Sequence, residues 1–378
     1  SSHPPQRIPL TLPRPQPHLP PQPQSPLPLP PRRAHADPQL QHRPLPPPPL
    51  PLPPPPPRWP PANERSRRDR GADDRRELHY DGQAERGSSL AARRSGPLIA
   101  YKRFANNVKR RMISQYTAPG GTLIDLGCGR GGDISKWRDA RLHYVLATDP
   151  SSGSLAEGKA REDRDSQRGV RSGTAIEWRQ CSFFEKHMEE ELRNAATARC
   201  RPSGVDAVSA MMSLHYAFES EASACQVLAA VSRLLRPGGV FFGVAPCADA
   251  VFARICEGGV GGACGKRYAI GPPQHAFSLR LELMCERSRL AQPAEFGEVL
   301  LFSLQDSVLA DAERDGCTEF LLHRGTLVRL AAEYGLRELE VGSLLDAAPS
   351  GGPPGSALSP SEQIVASLYF VFAFSKLS

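Results

Sequence analysis

The stretch Leu123-Ile-Asp-Leu-Gly-Cys-Gly-Arg-Gly-Gly-Asp133 decides the fold of this 378-residue chain. An apolar run rich in branched residues leads to Asp125, breaks into four glycines within six positions, and is followed directly by helical spacing. This order predicts a buried strand, a tight turn and a helix N-terminus, which together let the backbone approach a nucleoside cofactor. Dinucleotide-dependent enzymes share such a turn, so the turn alone does not identify the cofactor.

Two carboxylates narrow the choice of cofactor. Asp149 ends a second apolar run, Tyr144-Val-Leu-Ala-Thr148, at a position where a carboxylate can accept both hydroxyls of a ribose. Asp125 lies inside the first turn, where its charge would repel a pyrophosphate and favours a cationic part of the ligand. S-adenosylmethionine fits this pattern better than NAD does, and it is the predicted cofactor.

The composition divides the chain into a tail and a domain. The first 61 residues contain 27 of the 40 prolines, and a segment so rich in proline neither pairs strands nor builds a core. We therefore predict a disordered, proline-rich and basic tail over 1–96 and one folded domain over 97–378. The tail has 15 Lys and Arg against 8 Asp and Glu, which accounts for the net charge of +7. Such a run indicates weak affinity for nucleic acid, although a solvated linker is its commoner meaning.

The apolar pattern after the glycine turn predicts the fold class. Strands over 144–149, 175–180, 205–212 and 240–244 alternate with helices, which predicts an α/β fold with a doubly wound, mostly parallel sheet. The glycine- and proline-rich segment 248–297 is predicted to be an inserted lobe rather than sheet. Strands over 299–304 and 366–374 and a helix over 325–334 follow. No apolar run is long enough for a membrane span, and the Cys and His spacing predicts no metal site.

The segment Leu214-His-Tyr-Ala-Phe-Glu219 follows the fourth predicted strand. Ligands of open α/β sheets bind beyond the carboxyl ends of the strands, so His215 and Tyr216 are candidates for lining a pocket. Packing within a loop explains the same two residues equally well, and their position alone leaves both interpretations open.

Several blocks together resemble a known family. Tyr101-Lys-Arg-Phe-Ala-Asn-Asn-Val-Lys109, the glycine block, LHYAFES from Leu214, LRPGG from Leu235, EFLL from Glu319 and LYFVFAF from Leu368 occur in this order. They are similar to the eukaryotic mRNA cap guanine-N7 methyltransferases, which are class I, Rossmann-like, S-adenosylmethionine-dependent methyltransferases. The glycine block is shared by most class I methyltransferases, whereas LHYAFES and LYFVFAF are more specific.

The resemblance implies transfer of a methyl group from S-adenosylmethionine to N7 of the guanosine cap of mRNA, with positioning residues and no catalytic acid or base. The positions that match the cofactor site are Lys109, Gly127, Asp149, Ser182, Met211 and Tyr216. The positions that match the site for the cap guanine or its phosphates are Asn106, Arg130, Lys136, Arg161, His215, Pro246, Glu319 and Tyr369.

Three positions depart from the family pattern. Ser182 stands where the family has an acidic residue near the adenine, Met211 stands where it has a glutamine, and Ala105 replaces the first of two asparagines. A serine hydroxyl accepts a weaker hydrogen bond than a carboxylate does, so we expect weaker cofactor binding with activity retained.

The resemblance also implies partners and a compartment. The expected substrate is capped nascent mRNA with a GpppN end, the expected partners are RNA polymerase II or other capping enzymes, and the protein is expected to be a nuclear, RNA-binding monomer. Two other functions remain open at this point. One is an S-adenosylmethionine-dependent methyltransferase of another substrate, and the other is a non-catalytic module that binds caps or RNA.

Overall fold

A computed structural model describes residues 96–170, 173–182, 187–197, 199, 203–257, 266–284, 293–307, 309, 316–348 and 358–377. The predicted disordered tail lies outside the described residues except for Gly96. The boundaries of the tail and of the domain therefore stay predictions. Within the described residues, no helix is both long and apolar enough to cross a membrane.

The first half of the domain alternates helices and strands. Its elements are α1 (Ile99–Tyr116), β1 (Thr122–Leu126), α2 (Ile134–Asp139), β2 (Tyr144–Asp149), α3 (Ser152–Gln167), β3 (Ala175–Gln180), α4 (Met188–Thr197) and β4 (Val205–Met211). A 3-10 helix over Leu214–Glu219 and helix α5 (Glu221–Leu234) come next. Helix α5 ends at Leu234, just before the segment Arg236-Pro-Gly-Gly239.

The second half adds strands of both directions. Its elements are β5 (Leu235–Pro246), α6 (Ala248–Glu257), β6 (Arg267–Ile270), β7 (Leu279–Leu283), β8 (Val299–Leu304), β9 (Cys317–Phe320), α7 (Arg324–Glu333), β10 (Leu336–Ser343), α8 (Pro360–Ser367) and β11 (Tyr369–Lys376).

The main sheet has seven strands in the order β10-β11-β5-β4-β1-β2-β3. The pairs from β5 to β3 are parallel, whereas β11 runs antiparallel to both β5 and β10. Strands β1 and β2 are buried along their whole length, as strands covered by helices on both faces must be. Leu123 and Ile124 accordingly point into separate apolar clusters. The predicted doubly wound, mostly parallel sheet is confirmed.

The prediction that the segment 248–297 is a lobe without sheet is wrong. Strands β6 and β7 form a second, antiparallel sheet with β8 and β9, in the order β6-β7-β8-β9. In β7 the leucines are buried and alternate with the partly exposed Arg280 and Glu282, which is the period of a half-buried strand. The pattern is short and lies between glycine and proline residues, so no strand was predicted there.

Helix α1, strand β10 and helix α8 are among the elements that were not predicted from the sequence. Helix α1 buries Tyr101, Ala105, Val108 and Met112, at spacings of four, three and four residues, against the core. Strand β10 covers the edge of β11, and helix α8 begins with a capping box between Ser359 and Glu362. The Oε1 of that Glu362 also accepts a hydrogen bond of 2.9 Å from the Tyr101 backbone, which ties α1 to α8.

Candidate active site

The candidate site lies at the carboxyl edge of the main sheet. Strands β1, β2, β4 and β5 are parallel neighbours, and their registers align Leu126 with Thr148 and Met211 with Val244. Their carboxyl ends therefore meet at one edge, which is where open α/β sheets bind ligands. The glycine turn and the 3-10 helix follow these ends, and Asp149 and Pro246 are the last residues of β2 and β5.

The glycine turn adopts the left-handed backbone that its composition demands. Gly127, Gly129 and Gly131 have φ values of 76°, 52° and 67°, which side-chain-bearing residues rarely adopt. The Gly127 N–H donates to the Thr148 carbonyl at 2.8 Å, so the turn is held to the end of β2. A Cβ placed on Gly129 or Gly132 would meet no atom within 4 Å, so there is open space beside the turn.

Asp149 is fixed beside this turn. Its Oδ2 accepts from the Gly129 N–H at 2.8 Å, and its Oδ1 accepts from the Ser151 N–H at 3.0 Å. The predicted cofactor residues Gly127 and Asp149 are thus brought together.

Asp133 lies between two lysines at the start of α2. The Lys109 Nζ is 3.4 Å from Asp133 Oδ2, and the Lys136 Nζ is 2.7 Å from Asp133 Oδ1. Burial would raise the pKa of Asp133, but the two lysines outweigh it and lower that pKa to about 2. Asp133 is therefore a carboxylate at neutral pH.

Lys136 is buried, whereas a side chain that binds phosphate is expected to be accessible. Its side chain is 2% exposed, and its Nζ also donates to the Gly132 carbonyl at 2.8 Å. Burial lowers the pKa of Lys136 while Asp133 opposes the shift. In this structure the ammonium is committed to Asp133 and the glycine turn, and its predicted cap contact stays a prediction.

Asp125 is the buried carboxyl at the end of β1. Its Oδ1 accepts a hydrogen bond from the Ser209 hydroxyl on β4, and its Oδ2 has no hydrogen-bond partner among the described residues. Burial first, and the neighbouring Asp133 second, raise the pKa of Asp125 to about 7. The carboxyl is thus only partly ionised at neutral pH, so its preference for a cationic ligand is weaker than its sequence position suggested.

Arg130 and Arg161 share one carboxylate. The Arg130 Nε lies 3.3 Å from Glu157 Oε2, and the Arg161 Nε donates to Glu157 Oε1 at 3.2 Å. The Arg161 Nη2 donates to the same Oε1. The structure therefore brings together two of the predicted phosphate ligands, with an acidic residue between them that the sequence analysis did not single out.

Glu319, His215 and Tyr216 form a hydrogen-bonded cluster in which Glu319 and His215 are buried and Tyr216 is half-buried. The Tyr216 hydroxyl donates to Glu319 Oε1 at 2.9 Å, and the His215 Nε2 is hydrogen-bonded to Glu319 Oε2. His215 and Glu319 are 2% and 4% exposed, and the His215 Nδ1 has no hydrogen-bond partner among the described residues. Glu319 does not cap helix α7, because that helix begins at Arg324 and its N-cap residue is His323.

Pro246 and Tyr369 are direct neighbours across the antiparallel pair of β5 and β11. Both are buried, and the Tyr369 ring lies 6.3 Å from the Phe302 ring of the second sheet. The Tyr369 side chain is hydrogen-bonded to Tyr101 on α1. These contacts connect both sheets and α1 at one end of the site.

The comparison with protein families identifies the family to which the chain belongs. The sequence model described as the mRNA (guanine-N(7))-methyltransferase domain matches residues 63–349, which is more than half of the chain. The chain belongs to this family. The resemblance drawn from the sequence blocks is thereby confirmed.

Curated relatives have the same name. The chain is 30% identical over 336 residues to mRNA cap guanine-N(7) methyltransferase 1 of Oryza sativa subsp. japonica, covering 83% of each protein. It is 29% identical to mRNA cap guanine-N(7) methyltransferase 1 of Arabidopsis thaliana over 66% of this chain and 62% of that relative. A solved structure of the CcbJ methyltransferase from Streptomyces caelestis has 11% identity and a TM-score of 0.48, over 80% of this chain and 99% of that one.

The remaining predicted site residues of this family member lie in three places. Met211 is buried at the end of β4, and Ser182 is half-buried two residues beyond β3. Both therefore lie at the edge that carries the glycine turn. Asn106 is exposed on α1, where its amide donates to the Lys102 carbonyl at 2.8 Å. The described residues contain no group of three His, Cys, Asp or Glu that could hold a metal ion.

Sequence reasoning missed several residues that shape the site. Asp133 closes the quoted glycine block, and a third carboxylate at that spacing was the available signal. Trp178 on β3 packs behind the turn, because a Cβ on Gly131 or Gly158 would lie within 3.0 Å of its ring. Ser209 and Glu157 carried no sequence signal, since their roles arise from contacts between separate elements.

Proposed function

We propose that this chain transfers the methyl group of S-adenosylmethionine to N7 of the guanosine that caps mRNA. Membership of the mRNA (guanine-N(7))-methyltransferase family makes it an S-adenosylmethionine-dependent transferase. The observation that carries the assignment of the site is the hydrogen-bonded cluster of Glu319, His215 and Tyr216. It lies just past β4, the strand next to the one that leads into the glycine turn.

The residues around the glycine turn fit the cofactor. The open space beside Gly129 and Gly132 leaves room for a ligand against the backbone. Asp149 would accept hydrogen bonds from the ribose hydroxyls. Lys109 and Asp133 offer one positive and one negative group to the carboxylate and ammonium of the methionine part. Met211, Ser182 and Tyr216 complete the proposed cofactor side.

The Glu319 cluster fits the guanine. A guanine edge presents N1–H and N2–H as neighbouring donors, and a carboxylate can accept both. Glu319 already accepts from Tyr216 and is bonded to His215, so its orientation is set before substrate arrives. Pro246 and Tyr369 would pack beside the base. Arg130, Arg161, Lys136 and Asn106 are the proposed ligands of the phosphates and the outer part of the cap.

The reaction needs alignment more than acid–base chemistry. Guanine N7 has a free lone pair and no proton, so no residue must act as a general base. The cofactor supplies an already activated methyl group when it is bound. The task of the chain is then to hold the two reactants in line, which is catalysis by proximity and orientation. The negative Glu319 also favours the positive charge that methylation places on the guanine.

Two alternatives lead to different observations. A non-catalytic cap-binding module would keep the Glu319 cluster and lose the cofactor, yet the Lys109–Asp133 pair and the contacts of Asp149 are intact. A methyltransferase for another substrate would have no need of a buried carboxylate that is fixed from two sides. Calorimetric titration with S-adenosylmethionine distinguishes the first alternative from an enzyme.

The substrate suggests the setting in which the enzyme works. Capped nascent mRNA with a GpppN end is made during transcription, so we place the reaction in the nucleus. RNA polymerase II or other capping enzymes are the proposed partners, and the proposed active form is a monomer.

A direct assay tests the proposal. S-adenosylmethionine with a labelled methyl group is incubated with RNA that ends in GpppG, with free GTP and with uncapped RNA. We expect label on the capped RNA alone, at N7 of the terminal guanosine after nuclease release of the cap. Equal labelling of uncapped RNA would indicate another substrate, and cofactor binding without transfer would indicate a binding module.

A further inference from the structure

An acidic side chain lies between the two arginines that are the proposed phosphate ligands. Glu157 contacts Arg130 through one carboxylate oxygen and Arg161 through the other. The three side chains are between 15% and 25% exposed, so these ion pairs are partly shielded from water. Arg161 is hydrogen-bonded to Oε1, whereas the 3.3 Å contact of Arg130 with Oε2 is an ion pair without a hydrogen bond. Partly shielded ion pairs are stronger than exposed surface pairs.

Packing of the glycine turn on α3 brings these residues together. A Cβ on Gly131 would lie 3.2 Å from the Cα of Gly158, which is the residue after Glu157. Arg130 and Glu157 therefore flank the point at which the turn touches the helix. Arg161 is one helical turn further along α3 and reaches the same carboxylate in an i,i+4 pair.

The carboxylate of Glu157 makes the contacts that a phosphate would need. A guanidinium donates to carboxylate and phosphate oxygens with the same geometry. A phosphate bound to both arginines would therefore compete with Glu157 for the N–H groups of Arg161 and for the positive charge of Arg130. Asp165 pairs with Arg138 near the end of the same helix, away from the glycine turn, so an ion pair on α3 does not by itself mark a phosphate site.

We propose that Glu157 is an internal counter-anion, which occupies the phosphate position between Arg130 and Arg161 and gives way to the cap triphosphate. This inference rests on the proposed function, because it takes the two arginines as ligands of the cap. When no RNA is bound, Glu157 forms an ion pair with each of the two arginines and so holds their side chains close to each other. It also weakens cap binding, since its contacts must be exchanged and its charge repels the phosphates.

Removal of the charge should therefore strengthen cap binding. Glu157→Gln keeps the size of the side chain and one acceptor oxygen but removes the repulsion. We expect its KM for GpppG-ended RNA to fall roughly three- to tenfold at low salt. Inorganic triphosphate, used as a competitive inhibitor, should bind more tightly by a similar factor. The dependence of KM on salt should become steeper, because one more net positive charge faces the phosphates.

Asp165→Asn is the matched control. It removes a carboxylate from the same helix whose partner, Arg138, has no proposed phosphate contact. We expect its KM and its inhibition by triphosphate to stay within about twofold of the unaltered chain. Glu157→Met, which is similar in size and uncharged, provides a second test if Glu157→Gln lowers the melting temperature.

Variants of the arginines separate the two proposals. Arg130→Ala and Arg161→Ala should each raise the KM for the capped RNA, and Glu157→Gln should have no further effect when both are absent. If the arginine variants raise KM but Glu157→Gln leaves it unchanged or raises it, the inference about Glu157 is overturned and the phosphate site stands. If the arginine variants leave KM unchanged, the proposed phosphate site is wrong as well.

Discussion

The hydroxyl of Tyr216 donates a 2.9 Å hydrogen bond to Oε1 of Glu319, although the two residues are 103 positions apart in the chain. Tyr216 lies in the 3-10 helix after β4, and Glu319 lies on β9 of the second sheet. The bond therefore joins the proposed cofactor side of the site to the proposed guanine ligand. The second sheet, which the sequence analysis missed in part, is what carries Glu319 to this position.

Replacement of Glu319 tests recognition of the guanine. In Glu319→Gln one acceptor oxygen becomes an NH₂ donor that faces the donors of the base. We expect kcat/KM on capped RNA to fall at least about tenfold, which is roughly 1.4 kcal/mol. Cofactor affinity, measured by calorimetry, should hardly change. Glu298→Gln is the control, since Glu298 is also buried but accepts a backbone hydrogen bond from Ala294. Full activity of a stably folded Glu319→Gln would contradict the guanine assignment.

Replacement of Asp149 tests the cofactor site. Asp149→Ala removes a charged acceptor for the ribose and also releases the N–H groups of Gly129 and Ser151. We expect cofactor binding to weaken by about 2–3 kcal/mol. Melting curves without ligand measure how much of the effect is structural. Asp149→Asn retains one acceptor oxygen and should lose less, and equal cofactor affinity in all three proteins would exclude this carboxylate from the site.

Asp125 should make stability depend on pH. Its pKa of about 7 in the folded chain lies above its ordinary value of 3.8, so between these values the folded state binds more protons than the unfolded state. The free energy of unfolding should therefore fall as pH rises from about 4 to about 7, by up to about 4 kcal/mol from this group.

Asp125→Asn isolates this contribution, because an amide can keep the hydrogen bond with Ser209 and does not ionise. Relative to the unaltered chain, the variant should gain stability as pH rises from 5 to 8. Urea unfolding at several pH values measures the difference. A difference in unfolding free energy that does not vary over this range would show that Asp125 is ionised throughout.

Substitution of two helical glycines by alanine should have opposite effects on stability. A Cβ on Gly158 in α3 would lie 2.5 Å from the Trp178 ring, whereas a Cβ on Gly325 in α7 would meet no atom within 4 Å. Gly158→Ala should therefore force Trp178 away from the glycine turn, lower the melting temperature and weaken cofactor binding. The overpacking should cost about 1–3 kcal/mol.

Gly325→Ala is the control in this pair. It should stabilise the chain by about 0.5–1 kcal/mol, because alanine loses less backbone freedom in a helix. Cofactor affinity should stay unchanged in this variant. Equal effects of the two substitutions would mean that the contact of Trp178 with α3 is unimportant.

The sequence by itself determined the parallel half of the fold and the proposed place of the cofactor. Strands β1 to β4 have continuous or alternating apolar runs that end in recognisable turns, and Asp149 follows from that spacing. The tight turn was equally predictable from its glycines, because few residues other than glycine adopt the positive φ angles of this turn. Such signals are local, so a short stretch of chain contains all of the information.

The tertiary structure alone decided the electrostatics of the site and which residues form its proposed guanine side. Glu319 meets His215 and Tyr216 only because β9 packs against the 3-10 helix, and Glu157 meets Arg130 only because the glycine turn rests on α3. Likewise, burial determines that Asp125 is partly protonated while Asp133, held by two lysines, is ionised. These properties depend on desolvation and on contacts between distant segments, and no local sequence pattern records either of them.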